Sequence, residues 1–316
     1  IEYQENPVAG VILNRCSKGM YQLMKPEIEE KLGISVVGYF PQKEGIYIGS
    51  RHLGLMTAAE IDNLDEILNL LGETAEECID IDLLLKIGQR AEKLPKVKKP
   101  EVPKKKRARI AVAWDKAFCF YYKENLEILE QLGAELCYFS PVNDAQLPEN
   151  TDGIYLGGGY PETYRKELAD NVSMKQSICE AVESGKPMIA ECGGFMYVCD
   201  HLVETDDSLE EMLGLIHTDV RMTKRLSMQF GYVTMTALYD TVFFKKDTKI
   251  RAHEFHYSKA DKRGDSCEIT KYSGKSWNGL YVKDKIMAGY PHFYFHNCRE
   301  VARHFVDMAE EAAKKN

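Results

Sequence analysis

Residues 92 to 109, EKLPKVKKPEVPKKKRAR, constrain the architecture of this chain more than any other stretch. Nine Lys or Arg, two Glu and three Pro leave no apolar face to bury, so residues 92–108 read as an exposed, extended linker. Whatever lies on its two sides must fold around separate cores, residues 1–91 and 109–316. A length of 316 residues suits two such domains. A basic run is also the mark of a nucleic-acid arm. Against that, the rest of the chain holds 32 cationic and 47 acidic side chains, a net charge of −15 that repels a polyanion.

With 44% hydrophobic and 28% charged residues, the composition is that of a soluble globular protein. No apolar run approaches the roughly 20 residues of a membrane span, and no signal peptide is visible, so the cytoplasm is the expected compartment. Nine cysteines without CxxC spacing argue against a disulfide framework and against a structural zinc site. No bound metal is expected.

Upstream of the linker, VAGVILNR reads as a buried strand, YQLMKPEIEEKLG as an amphipathic helix ending at Gly33, and ISVVGYFP as a second strand. That is one βαβ crossover. GSRHLGLMTAAEIDNLDEILNLLG then reads as a loop leading into a helix. No GxxxxGK[ST] phosphate loop occurs anywhere in the chain. Downstream, strands in RIAVAWD, AELCYFSP, TDGIYLGGG and PMIA alternate with helical segments. This alternation predicts an α/β, doubly wound sheet with its site at the carboxyl ends of the strands.

Two features fall on that edge. In GKPMIAECGGFMYVCD, Cys192 stands between a strand and the start of a helix, with Ala190 and Gly194 as small neighbours. A small-x-nucleophile-x-small corner holds its apex side chain exposed, and a helix N-terminus favours a thiolate. The competing reading is a buried cysteine acting as a small hydrophobe. Gly157, Gly158 and Gly159 form the second feature, a loop whose N–H groups are free to turn toward an oxyanion. A phosphate loop is disfavoured there because YPE follows instead of Lys and Ser/Thr, and a plain turn is the remaining alternative.

A cysteine nucleophile needs a base. His292 and His296 lie in the strand-like AGYPHFYFHNC, where spacing of i and i+4 would put both on one face. His253 and His256 flank Glu254 in RAHEFHYS, also strand-like. Each is as readily a structural hydrogen-bonding residue as a catalyst, and together they match no metal-ligand pattern.

AWDKAFCFYYKENLEILEQLGAELCYFSPVNDAQLP, GIYLGGGYPE, AECGGFMY, RAHEFHYS and GYPHFYFH together resemble the cobyrinic acid a,c-diamide synthase family, the glutamine-dependent amidases of corrinoid biosynthesis. That family includes the nickel-sirohydrochlorin a,c-diamide synthases. GVILNR, GYFP and SRHLGL resemble the last part of its ATP-dependent, dethiobiotin synthetase-like P-loop domain. The resemblance implies a class I glutamine amidotransferase fold over 109–316, preceded in 1–91 by the carboxyl-terminal part of a synthetase domain. It further implies Cys192 as nucleophile, His292 as base, and N–H groups of Gly193 and of Gly158 or Gly159 as oxyanion donors.

The implied reaction is ATP- and Mg2+-driven amidation of the a and c carboxylates of a tetrapyrrole, with ammonia drawn from glutamine. Two departures qualify this. Tyr294 stands two positions after His292, where many class I amidotransferases carry Glu, so either a Cys–His dyad operates or another carboxylate, such as Glu254, orients the imidazole. The phosphate loop of the synthetase domain is absent, which makes an amino-terminal synthetase half an expected partner; a second copy of the chain is another. Asn14 matches a position that reads adenine in related synthetases but also suits a strand-end turn. Arg51 and His52 are candidates for nucleotide or acidic substrate. Cobyric acid synthase is a neighbouring enzyme reading, and a binding module with lost catalysis is the reading from another class.

Overall fold

The computed structural model describes residues 8–46, 48, 50–51, 54–55, 58, 61–97, 100–227 and 229–315; for 50, 51, 54 and 55 it describes the backbone alone. The chain divides into two compact units, residues 1–98 and 99–316.

In the first unit, strands Gly10–Asn14 and Ser35–Phe40 pair in parallel and helix Lys18–Leu32 connects them. Ser17 caps the helix by accepting the Met20 N–H, and Gly33 closes it at φ 64°, a left-handed conformation that costs glycine little. Helices Leu64–Cys78 and Ile81–Gln89 follow. Arg51 lies in a two-residue strand paired with Gly54–Leu55, and His52 lies outside the described residues.

The second unit is built on five parallel strands, which in chain order are Ala108–Ala113, Ala134–Phe139, Gly153–Leu156, Met188–Glu191 and Ile286–Gly289. In space they run 2-1-3-4-5, with Tyr281–Lys283 added antiparallel at the edge. Successive side chains point to opposite faces, and both faces are covered. Ala111, Leu156 and Ala190 enter one apolar core, and Ile110, Tyr155 and Ile189 enter the other.

A four-stranded and a five-stranded sheet are inserted between helix Gly193–Val198 and the carboxyl-terminal helix Arg299–Ala313. The alternating pattern of the sequence did not reveal them as sheets. Their role for the site is specific. Strand Lys249–Glu254 pairs with His292–Phe293, setting His253 opposite His292.

Candidate active site

Cys192 follows directly on strand Met188–Glu191 with φ 49° and ψ −99°, a conformation that L-residues rarely adopt. Its neighbours fix the corner. The Cys192 N–H donates to the Gly289 carbonyl at 2.8 Å, and the Gly194 N–H donates to the Gly157 carbonyl at 2.8 Å. A Cβ on Gly194 would stand 2.3 Å from the Leu156 carbonyl oxygen, so only glycine allows the helix to start this close to the sheet.

The glycine loop meets this corner from strand Gly153–Leu156. A Cβ on Gly193 would stand 3.0 Å from the Gly159 nitrogen, which places the two backbones side by side. Tyr121 braces the loop: its hydroxyl accepts the Gly157 N–H at 2.8 Å and donates to the Ala113 carbonyl. Gly158 is the floor under His292, since a Cβ there would stand 2.4 Å from the ring Cε1.

His292 is buried, with Phe120 packed edge-on at 5.0 Å between ring centroids. Asn125, fully buried, clamps the segment that follows by donating to the Phe293 carbonyl at 2.7 Å and accepting the Phe295 N–H at 2.8 Å. Burial, with His253 and His256 nearby, lowers the His292 pKa to about 3, so the imidazole is neutral at ordinary pH. A cavity of about 710 Å3, lined by Tyr122, Tyr232, Arg251, His253 and Tyr294, opens onto His292.

The structure corrects several expectations. Cys192 is buried, not exposed, and its thiol donates to the Phe255 carbonyl at 3.7 Å rather than to His292. That burial pushes the thiol well above its ordinary pKa; the charges of Glu162, Glu254 and Glu191 add to the rise and the Gly193 N–H opposes it. The helix-terminus effect is thus outweighed by desolvation. Glu254 does not face His292. It is paired with His256 at 3.4 Å, and that ring also bonds the Ser258 carbonyl through Nδ1 and stacks on Tyr290 at 3.7 Å. His296 does not share the face of His292, because the strand ends at Phe293 and His296 lies exposed in the following turn. Tyr294 leans edge-on against Tyr122 and toward His296.

Asn14, in the first unit, bonds the Arg15 N–H at 3.0 Å and lines a separate cleft with Arg15, Phe40 and Lys43. Sequence reasoning missed Tyr121, Asn125 and Phe255, whose roles depend on partners 8 to 170 residues away. It also missed Glu191, for which a signal existed: a carboxylate closing an otherwise apolar strand must find a partner. Among the described residues, no group of three or more His, Cys, Asp or Glu could hold a metal ion. None of their helices is long and apolar enough to cross a membrane.

Residues 109–300 match the CobB/CobQ-like glutamine amidotransferase domain. A cobyrinate a,c-diamide synthase of Caldanaerobacter subterraneus subsp. tengcongensis is 39% identical over 312 residues, covering 98% of this chain and 69% of that protein. One from Priestia megaterium is 38% identical over 320 residues, covering 98% of this chain and 68% of its own. A crystal structure of a glutamine amidotransferase aligns at a TM-score of 0.46 and 16% identity, over 63% of this chain and 98% of that one.

Proposed function

The chain belongs to the cobyrinate a,c-diamide synthase family, and from that premise we propose that residues 109–316 hydrolyse glutamine to supply ammonia for amidation of the a and c carboxylates of a tetrapyrrole. The observation that carries the reading is the corner itself: a cysteine at φ 49°, the Gly193 and Gly159 backbones beside it, and a neutral histidine over Gly158.

In this reading the Cys192 sulfur bonds to the carboxamide carbon of glutamine while its proton passes to a ring nitrogen of His292. The developing oxyanion is held by the Gly193 N–H and that of Gly158 or Gly159. His292 then protonates the leaving nitrogen and ammonia departs. Water cleaves the thioester, which yields glutamate and restores the thiol. Because burial holds the thiol protonated, sulfur attack and proton transfer are coupled, and the thiol must first turn away from the Phe255 carbonyl.

Acyl activation belongs to the same proposal. The Asn14 cleft offers Asn14 and Lys43 but no glycine loop followed by Lys and Ser/Thr, so it does not fit the phosphates of ATP. We assign that step to an amino-terminal synthetase half and leave Asn14, Arg51 and His52 as nucleotide or substrate candidates. The test measures ammonia from glutamine, then diamide by mass spectrometry with Mg-ATP and either cobyrinic acid or nickel-sirohydrochlorin. The chain should release ammonia and form diamide only when the synthetase half is added. Diamide without it overturns the division of labour, and no ammonia from the chain overturns the glutaminase.

A further inference from the structure

The strand that delivers Cys192 also carries Glu191, whose side chain is buried on the side of the sheet occupied by Tyr155 and Phe293. One carboxylate oxygen, Oε1, accepts the Phe293 N–H at 3.3 Å. The other, Oε2, stands 3.9 Å from Nδ1 of His292. Glu254 is engaged by His256 and Tyr294 is no carboxylate. From this geometry we propose that Glu191 is the positioning carboxylate of His292: it holds the imidazole proton on Nδ1 and thereby leaves Nε2 to act as the base.

The inference rests on the glutaminase reading, for which the neutral imidazole must present an unprotonated nitrogen to the thiol. The two nitrogens are not equivalent here. Cε1, which lies between them, faces Gly158, and Nδ1 is turned to Glu191. A buried carboxylate close to one ring nitrogen selects the tautomer that donates to it. The 3.9 Å separation exceeds a direct hydrogen bond, and the proposal requires it to tighten when substrate binds, as catalytic contacts commonly do. The titratable groups that sense the charge of Glu191 are Tyr121, Tyr122, Tyr155, Cys192 and Cys298, none of them cationic. The Phe293 N–H and the Tyr155 hydroxyl also hold the carboxylate, and the His292 ring nitrogen stands on its Oε2 side.

Glu191→Gln separates positioning from packing. Its amide oxygen can still accept the Phe293 N–H, which leaves the NH2 group facing Nδ1. That donor forces the ring proton to Nε2 and removes the base. The experiment records 15N shifts of the His292 ring in the full chain at pH 9, above the value of about 8 to which burial raises Glu191, with His292→Asn for assignment. Glutamine hydrolysis is measured on the same samples.

The wild-type proton is expected on Nδ1 and the variant proton on Nε2. The variant kcat should fall about a hundredfold, with KM within about threefold. A wild-type proton on Nε2, or a variant with hydrolysis within about threefold of wild type, overturns the inference. If the variant fails to fold, the wild-type tautomer alone decides. If the wild type releases no ammonia, the glutaminase reading falls, while the tautomer still tests the pairing.

Discussion

The two units of this chain bury their apolar residues to different degrees. In the second, Ile110, Ala111, Val112 and Ala113 of a single strand are all fully buried. In the first, strand Gly10–Asn14 and helix Lys18–Leu32 bury no residue, and Leu23, Leu68 and Leu85 are more than half exposed. A strained backbone and buried ionisable groups persist only where surrounding packing over-determines them. The unit with two continuous cores is the one that holds Cys192 at positive φ and Glu191, Glu254 and His292 out of water.

The comparison breaks first if the base is misplaced. His292→Asn should lower glutamine hydrolysis about a thousandfold, whereas His296→Asn, in an exposed turn, should stay within about threefold. Reversed ranks in a steady-state ammonia assay would remove the histidine from the account. Stability sharpens the same contrast. Phe305→Ala, in the core beneath the sheet, should cost about 3–5 kcal/mol, and Leu85→Ala in the first unit less than about 1 kcal/mol, both read by denaturant unfolding.

Gly158→Ala should follow, because its Cβ would press on the imidazole at 2.4 Å from Cε1. A displacement of that size should cut kcat by about a hundredfold or less, with the fold retained by circular dichroism. The smallest effect is in pH. Glu191 accepts from Nδ1 only when deprotonated, and burial raises it to about 8, opposed by the Phe293 N–H and Tyr155. Activity should therefore rise as pH climbs through about 8, by up to about tenfold per unit below that point. His292, lowered to about 3, supplies no limb in this range. An ascending limb at the ordinary histidine value instead would contradict the lowered value of His292.

The parallel sheet and the Cys192 corner were legible because their signals are local: apolar runs, small flanking residues and glycines at a strand end. The partner of the Cys192 thiol was not, since Phe255 lies 63 positions away in a segment that read only as another strand. Glu254 sat between two histidines in sequence, and its partner is one of them, His256; what the sequence did not show is that strand pairing sets His253, not Glu254, opposite His292. The limit of strand His292–Phe293 was hidden by an aromatic run that continues past it, while Asn125 pulls Phe295 into a turn. Glu191 was overlooked beside the residue that drew attention.

The central claim is that one buried thiol among nine is the nucleophile of a glutaminase. Incubating the chain with a thiol-alkylating glutamine analogue and mapping the adduct by peptide mass spectrometry tests it directly. The account expects one adduct, on Cys192, blocked by excess glutamine and slowed in His292→Asn. Modification of another cysteine in its place, or labelling of Cys192 that glutamine does not suppress, would contradict it.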